Sequence, residues 1–186
     1  VDDFLARKFD CWSTPYLLTP EGIDDKDLAL LPEKIKGNYL LYHRINRRIC
    51  ADLIPNLDSG KRISRCIEIM GPRRGMWDGL KVGVAGPPVR VDENWLLIYH
   101  GVSRHGEYSL GAVLLDHTGT SILARTADPI FEPIENYEKE GEVPNVVFSC
   151  GMVVRGDELF LYYGGADRVV GVAVGSVSHI MKALIG

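Results

Sequence analysis

The amino-acid sequence predicts an all-β protein made of β-propeller blades, and three observations lead to that prediction. The first is a phrase that recurs in the chain: GNYLLYHRI at 37–45, ENWLLIYHGV at 93–102 and DELFLYYGGA at 157–166. The second is that short turns rich in Gly, Asn and Asp separate each phrase from apolar neighbours, which is typical of an antiparallel meander. The third is the spacing of about 60 residues, which fits a blade of four short strands. A β-sandwich is the alternative, because it also uses meanders.

Each unit is expected to supply up to four strands. Those before the recurring phrase are PEKI at 32–35, PPVRV at 87–91 and CGMVV at 150–154. Those after it are ICADLI at 49–54, YSLGAVLLD at 108–116 and VVGVAVGSV at 169–177. A fourth strand is available between units, from ISRCIEI at 63–69 and SILARTADPIF at 121–131. A helix is predicted only for SHIMKALIG at 178–186, with Ser178 as its cap.

Three blades alone leave two apolar faces open. Closed propellers have roughly four to eight blades, each covering its neighbour. The sequence is therefore interpreted as part of a longer propeller, or as a chain whose faces another chain covers. In a homo-oligomer, the interface would include Val113, Val147 and Val172.

Composition excludes several kinds of partner. The 186 residues are 46% hydrophobic and 25% charged, with a net charge of −4. The densest basic spots, Arg47-Arg48 and Arg73-Arg74, are too small to bind a nucleic-acid backbone. No apolar stretch approaches the roughly 20 residues that cross a bilayer. We therefore expect neither a nucleic-acid nor a membrane partner.

The four cysteines, Cys11, Cys50, Cys66 and Cys150, show no C-x-x-C spacing. Metal ligation by these thiols is not expected, and no other metal constellation stands out. A reduced, cytoplasmic setting is the interpretation that this pattern favours.

Polar residues stand where the ends of apolar strands would meet. Arg44 ends a strand that should be buried, and a guanidinium there needs a carboxylate, a phosphate or a sugar hydroxyl. Aligning the units on their tyrosines also puts His43, His100 and Tyr163 at one repeat position. We therefore expect these side chains to line a shared mouth. An internal Arg–Asp pair and a satisfied core histidine are the alternatives.

Three charged candidates lie beside these strands. Lys26 and Asp27 precede an apolar stretch, where a solvated turn is the alternative. Asp167 follows two glycines in YGGAD, where the backbone can approach a ligand closely and the carboxylate could bind a hydroxyl.

The segment MWDGLKVGVAGPP at 76–88 combines an indole ring with charged groups. Trp77 and Asp78 stand shortly before Lys81. An indole can stack on the C–H face of a sugar while a carboxylate binds its hydroxyls. The glycines do not follow the spacing of a dinucleotide or P-loop motif.

Several segments together resemble glycoside hydrolase family 130, a family of five-bladed propellers that includes β-mannoside phosphorylases and β-mannosidases. They are KDLALLPEKIKGNYLLYHR, WDGLKVGVAGPPVRVDENWLLIYHGV, YEKEGEVPNVVFSCG and LFLYYGGAD. They occur in the family's order over most of residues 24–178. The resemblance implies that residues 1–186 form one partial propeller domain, about three four-stranded blades from the C-terminal part of the five.

The resemblance also implies a reaction and a site. Inorganic phosphate, the co-substrate, would attack a β-mannoside with inversion and release mannose 1-phosphate, without another cofactor. The phosphate-binding candidates are Lys26, Arg44 and His100. The substrate-binding candidates are Asp27, His43, Trp77, Asp78, Lys81, Tyr163 and Asp167.

One part of the family's pattern does not occur in this sequence. The proton-donating aspartate lies in a Gly-x-Glu-Asp-Pro-Arg motif, which these 186 residues do not contain. We therefore expect the chain alone to have little or no activity, since general acid catalysis contributes about 10²–10⁴-fold. A β-mannoside hydrolase, in which Glu33 could activate water, and a non-catalytic carbohydrate-binding or scaffold propeller are the alternatives.

Overall fold

The computed structural model describes residues 2–8, 15–57, 62–63 and 66–186, and antiparallel strands predominate in them. The first sheet contains β1 Asp25–Leu30, β2 Tyr39–Ile45, β3 Arg48–Ile54 and β4 Ile67–Met70, in chain order. The second contains β5 Lys81–Val84, β6 Val89–Val91, β7 Asn94–Val102, β8 Tyr108–Leu115 and β9 Ile122–Arg125. Its order is β5-β7-β8-β9, and β6 also pairs with β7. The third contains β10 Val147–Arg155, β11 Glu158–Gly165 and β12 Val169–Ser176.

Tight turns connect many of these strands. Lys36 and Gly37 have φ angles of 49° and 80°, and Asn46 and Arg47 have φ angles of 49° and 72°. Positive φ at both central residues is the signature of type I′ turns, whose twist matches that of the flanking strands. The Asn46-Arg47 turn joins β2 directly to β3, and the Lys36-Gly37 turn closes the bridge between Ile35 and Asn38 just before β2 begins.

The hairpins also define which residues of the three units are equivalent. The pairs that close them are Ile35 with Asn38, Val91 with Asn94, and Arg155 with Glu158. Counting the same number of residues onward from Asn38, Asn94 and Glu158 then leads to Arg44, His100 and Gly164. Arg44 and His100 therefore occupy one position in successive units.

The alignment on tyrosines is consequently wrong by one residue in the second unit. Counted from the hairpins, Tyr99 is equivalent to His43 and Tyr163. Because side chains alternate between the two faces of a strand, a shift of one residue moves a side chain to the opposite face. His100 therefore does not share the position of His43 and Tyr163.

Apolar side chains fill the two spaces between the sheets. Between the first and second sheets lie Leu40, Tyr42, Leu97, Tyr99 and Val113, among others. Between the second and third lie Leu96, Ile98, Leu110, Val147 and Leu161, among others. Both faces of the second sheet are thus buried. Sheets that pack face to face in chain order are the predicted blades of a propeller.

Several strand predictions need correction. PEKI is not a strand, because only Ile35 forms an isolated bridge there; the neighbour of β2 is instead β1, which begins earlier, at Asp25. The predicted strand at 121–131 is limited to β9, and only the last part of 63–69 is included in β4. The three sheets have four, five and three strands in the described residues, rather than four each.

Three helices occur in the described ranges: α1 Asp2–Leu5, α2 Asn136–Lys139 and α3 Val177–Ile185. The predicted C-terminal helix is thus present, but its cap is Ser176, whose side chain accepts a hydrogen bond from the backbone N–H of His179. Ser178 lies inside the first turn, where its N–H donates to Asp157. None of the helices in this part of the chain is long and apolar enough to span a bilayer.

The prediction that the thiols are reduced is wrong for one pair of cysteines. Cys50 in β3 forms a disulfide with Cys66, which closes the connection between β3 and β4. Cys150 is free and exposed. Cys11 lies outside the described residues.

One face of the third sheet is open and apolar. Its exposed side chains are Val153, Tyr162, Val170, Val172 and Val174. Val113 and Val147, which were predicted to join an interface between copies, are instead fully buried between the sheets of one chain. The homo-oligomer prediction therefore depends on Val172 and its neighbours alone.

A pair of alanine substitutions distinguishes the packed space from the open face. Leu97→Ala removes a side chain with 0% exposure, so we expect the free energy of unfolding to fall by about 2–5 kcal/mol. Val172→Ala, at 54% exposure, should cost less than about 1 kcal/mol. Urea denaturation measures both. An equal loss for Val172→Ala would show that another chain covers the open face in solution.

Candidate functional site

The candidate site lies at the end where β1, β5 and β10 begin and where β2, β7 and β11 finish. The cross-strand pairs at this end are Lys26 with Arg44, Gly83 with His100, and Phe148 with Gly164. Antiparallel pairing puts the start of one strand beside the end of the next. Polar residues that are far apart in the chain therefore meet here.

Asp27 connects the first two sheets. The Nε atom of Arg44 donates to its Oδ2 atom at 2.6 Å, and the Nε2 atom of His100 lies 3.5 Å from the same oxygen. Asp27 lies where the register of β1 and β2 is interrupted, and its φ angle is 58°. A non-glycine residue held in this region is strained, and such strain is common at functional sites. Arg44 and His100, which were predicted to lie together, thus both contact the carboxylate of Asp27.

Gly83 makes this meeting possible. A Cβ atom at this position would lie 2.3 Å from Oδ2 of Asp27 and 2.4 Å from Cε1 of His100. No other amino acid therefore fits between the two side chains as they stand. The sequence carried a signal for this role, because glycine inside a strand often marks a close approach.

His100 is held neutral. Burial, and then the positive charges of Arg44 and Lys81, lower its pKa to about 3. The rings of Phe148 and Tyr108 lie 4.7 and 6.1 Å from the imidazole, centroid to centroid. Its Nδ1 atom is buried without a hydrogen-bond partner among the described residues. The imidazole can therefore accept or donate one more hydrogen bond.

Lys81 is a cation with no carboxylate partner in the described ranges. Its Nζ atom donates to the hydroxyl of Tyr108 at 2.5 Å and lies 4.7 Å from the centre of that ring. Tyr108, Phe148 and Asp167 also line a cavity of about 260 Å³. Asp167, which is exposed, therefore faces the cavity walled by the two rings that flank His100.

The other predicted phosphate ligand, Lys26, lies on the exposed side of β1. Its Nζ atom forms an ion pair with Asp24 at 3.0 Å, and both side chains are more than half exposed. The hydrogen bond and charge of Lys26, and more weakly the charges of Arg44 and Lys81, lower the pKa of Asp24. Three cations therefore surround the start of β1.

His43 does not face this group. Its Nδ1 atom lies 2.9 Å from a carboxylate oxygen of Asp25, and both side chains are buried. The pair is an internal one, which was the structural alternative for a histidine at this position. Asp25 itself was not predicted.

Asp78 and Trp77 belong to a rigid cluster beside the site. The Asp78 carboxylate has no exposure and accepts hydrogen bonds from Arg73, Arg125 and Tyr99 at 2.6–3.1 Å. Trp77 stacks on Tyr99, and its Nε1 donates to a backbone carbonyl. Both carboxylate oxygens of Asp78 are thus occupied by the protein, so the cluster acts here as a wall.

Tyr163 and Glu33 lie apart from the site. The hydroxyl of Tyr163 donates to buried Glu138 at 2.7 Å. Burial raises the pKa of Glu138, but hydrogen bonds from this hydroxyl and from the backbone outweigh it, so the pKa is lowered. Glu33 follows the far end of β1 and forms an exposed ion pair with Arg90 at 3.2 Å. The structure does not bring either residue to Asp27.

Three of the predicted residues therefore contact one another at this end of the sheets, namely Asp27, Arg44 and His100, and two more, Lys81 and Asp167, lie beside the rings of Tyr108 and Phe148. The participants that the sequence did not reveal are Gly83, Tyr108 and Phe148. No group of three or more His, Cys, Asp or Glu side chains that could hold a metal ion occurs in the described ranges.

Comparisons with known proteins identify the family of the chain. A family model described as β-1,4-mannooligosaccharide phosphorylase matches residues 12–185. The chain is 44% identical over 151 residues to a 1,2-β-oligomannan phosphorylase of Thermoanaerobacter sp. (strain X514), covering 81% of this chain and 50% of that protein. It is 36% identical over 188 residues to a β-1,2-mannobiose phosphorylase of Listeria innocua serovar 6a, covering 99% of this chain and 53% of that protein.

Solved structures show the same fold. The structure of the β-1,2-mannobiose phosphorylase from Listeria innocua in complex with β-1,2-mannobiose superposes with a TM-score of 0.82 and 36% identity. The match covers 87% of this chain and 47% of that one. The chain thus spans about half the length of the curated relatives it matches.

Gly83→Ala tests the close approach of Asp27 and His100. The added Cβ must displace both side chains, so we expect the free energy of unfolding to fall by about 1–3 kcal/mol. Gly175→Ala in β12 is the matched control, since a Cβ atom there would have nothing within 4 Å and the φ angle of Gly175 is not positive. Equal stabilities of the two variants in urea would contradict the packing described for Gly83.

The low pKa of His100 predicts a loss of stability in acid. Between about pH 6.5 and pH 3 the unfolded chain binds a proton at this imidazole and the folded chain does not, so stability falls as the pH falls. The slope from this group approaches about 1.4 kcal/mol per pH unit. His100→Gln, which cannot titrate, should lose that slope. Urea denaturation at pH 7, 6, 5 and 4 measures it, and parallel curves for the two proteins would refute the assignment.

Proposed function

Because the chain belongs to glycoside hydrolase family 130, we propose that it carries phosphate-binding and sugar-binding groups of a β-mannoside phosphorylase. The relatives named above are phosphorylases of β-1,2-linked mannosides. Since this chain covers about half of their length, the activity proposed is that of the complete site to which these groups belong. The substrate we propose is a β-1,2-linked mannoside.

The observation that carries the proposal is the cluster of cations around the start of β1. Arg44 uses only its Nε atom to bind Asp27, and no contact occupies its two Nη atoms in the described residues. Lys81 contacts a hydroxyl and not a carboxylate. The charges of Arg44 and Lys81 both act on His100, and spare guanidinium and ammonium donors around one group suit an oxyanion.

His100 contributes to the same pocket as a neutral group. With a pKa of about 3 it carries no charge near neutral pH, so it does not serve there as a proton donor. Its unpartnered Nδ1 atom can hydrogen-bond a phosphate oxygen or a sugar hydroxyl. Burial against Phe148 fixes the ring in place.

The sugar would lie between Asp27 and Asp167. Carboxylates accept hydrogen bonds from hydroxyl groups, and Asp167 faces a cavity with the aromatic walls Tyr108 and Phe148. Such a mixture of apolar rings and a few polar groups is typical of small-molecule sites. The geometry thus supports a sugar next to the proposed oxyanion.

The reaction requires little from these residues beyond position and charge. Phosphate is an anion, so it attacks the anomeric carbon without a general base, while Arg44 and Lys81 offset its repulsion by Asp27. The bond to the leaving sugar breaks as its oxygen takes up a proton. We propose that the aspartate of a Gly-x-Glu-Asp-Pro-Arg motif supplies this proton; that motif does not occur in these 186 residues.

Phosphate binding tests the proposal on the chain itself. Arg44→Gln removes the spare donors, so we expect the Kd for inorganic phosphate to rise about tenfold or more. Isothermal titration calorimetry measures the Kd. Arg90→Gln, which alters an exposed arginine of β6 that pairs with Glu33 away from the site, is the matched control and should leave the Kd unchanged. Equal phosphate binding by wild type and Arg44→Gln would refute the assignment.

The product distinguishes a phosphorylase from a hydrolase. β-1,2-Mannobiose and β-1,4-mannobiose are incubated with a protein that contains the complete site, with and without phosphate. We expect mannose 1-phosphate from the β-1,2-linked substrate only when phosphate is present. Phosphate-independent release of mannose would instead support the hydrolase alternative.

A further inference from the structure

A second, larger cavity lies next to Lys81. It has a volume of about 620 Å³ and is enclosed by the loop that precedes β5 and by the turn that joins β7 to β8. The backbone N–H of Leu80 donates to the carbonyl of Val102 at 2.9 Å, and Lys81 pairs with Val102 in the sheet. The cavity therefore adjoins the end of the second sheet that carries Lys81 and His100, and none of the roles proposed above uses it.

Both walls of this cavity are fixed by internal contacts. On one side, the buried carboxylate of Asp78 holds its loop, and Gly79 packs so closely that a Cβ atom would lie 2.8 Å from the carbonyl oxygen of Arg73. On the other side, the hydroxyl of Ser103 donates to Glu107 and accepts from the backbone N–H of His105. A cavity with fixed walls binds a ligand at a lower entropic cost than a mobile one.

The lining combines apolar surface with unused donors. Trp77 has its Nε1 atom occupied by a backbone carbonyl, so the indole offers only apolar surface, and Met76 adds to it. Arg74 and Arg104 both line the cavity, and neither forms an ion pair within the part of the chain that is described. The Nε atom of Arg104 donates to Nε2 of His105 at 3.0 Å, so its two Nη atoms are the donors that remain. Glu107 supplies an acceptor on the same wall.

This combination fits a neutral polyhydroxylated ligand better than an anion. A sugar presents C–H groups to an aromatic surface and hydroxyls to both donors and acceptors, and all three are present here. An anion would be bound by Arg74 and Arg104 but opposed by Glu107. The volume lies within the range of about 300–1,000 Å³ that small-molecule sites occupy.

We propose that this cavity is a subsite for the further sugar units of a β-mannoside chain, with Trp77 as its apolar wall and Arg74 and Arg104 as hydroxyl ligands. The inference rests on the proposed function, because it assigns a role to a cavity that adjoins the same site. It implies that the protein binds a β-1,2-linked tetrasaccharide more tightly than the disaccharide.

Calorimetry with β-1,2-mannobiose and β-1,2-mannotetraose tests the proposal. We expect the wild-type chain to bind the tetraose at least about tenfold more tightly. In Arg104→Ala the ratio of the two affinities should fall to about one, since hydrogen bonds to a charged group typically change affinity by about tenfold or more. Arg155→Ala is the matched control: it removes an exposed arginine at the opposite end of the third sheet and should keep the wild-type ratio.

A second measurement locates the binding. The indole N–H resonance of Trp77, assigned by its loss in Trp77→Phe, should shift when the tetraose is added. A tetraose that binds tightly without moving this resonance would put the extra sugar units elsewhere and overturn the proposal. Displacement of the tetraose from this cavity by inorganic phosphate alone would make it an anion site and would also overturn it.

The outcomes separate the subsite from the proposed function. Equal affinities for the two sugars in the wild-type chain, or an unchanged ratio in Arg104→Ala, would refute the subsite and leave the β-mannoside assignment standing. Failure of both sugars to bind would refute the β-mannoside assignment, and the subsite with it.

Discussion

The meeting of Arg44 and His100 on one carboxylate, that of Asp27, is the contact on which the site depends. Arg44 and His100 occupy the same position in successive sheets, yet both side chains reach a residue of the first sheet because Gly83 leaves the space. This contact joins two blades at the end where their strands converge. It also explains the electrostatics, because the cation that neutralises Asp27 helps to keep the neighbouring imidazole uncharged.

The sequence was sufficient to predict blades but not to predict which face each side chain occupies. Apolar phrases between turn residues define strands and hairpins, and most of these were found, although PEKI is not a strand and β1 and β5 were not predicted. The face depends on counting from the hairpin, and the tyrosines Tyr42 and Tyr99 suggest a count that differs by one residue from the hairpin pairs. With a period of two, that difference exchanges the faces. The start of β1 was missed because its charged residues, Asp25 to Asp27, are typical of a turn.

The site was predictable in part, for a physical reason. A polar group on a buried strand needs a partner, and the partner is either a ligand or another protein group. The sequence does not distinguish these cases when the partner is distant in the chain. Asp78 is bound by Arg125 from another strand, and the hydroxyl of Tyr163 is bound by Glu138. Neither the carboxylate of Asp78 nor the hydroxyl of Tyr163 is therefore left over for a ligand. Arg44 forms the internal Arg–Asp pair that was its structural alternative, through Nε and the carboxylate of Asp27.

Spare hydrogen-bonding capacity is therefore what distinguishes this end of the sheets from the Asp78 cluster. The Asp78 carboxylate is saturated by protein groups, whereas His43 contacts Asp25 through Nδ1 and leaves its buried Nε2 atom without a partner in the described residues. At the mouth, by contrast, Lys81 lacks a carboxylate among the described residues, and Nδ1 of His100 lacks any partner there. Buried groups without partners are unfavourable unless something else binds them. Their concentration at one end of the sheets is the physical basis for placing the ligand there.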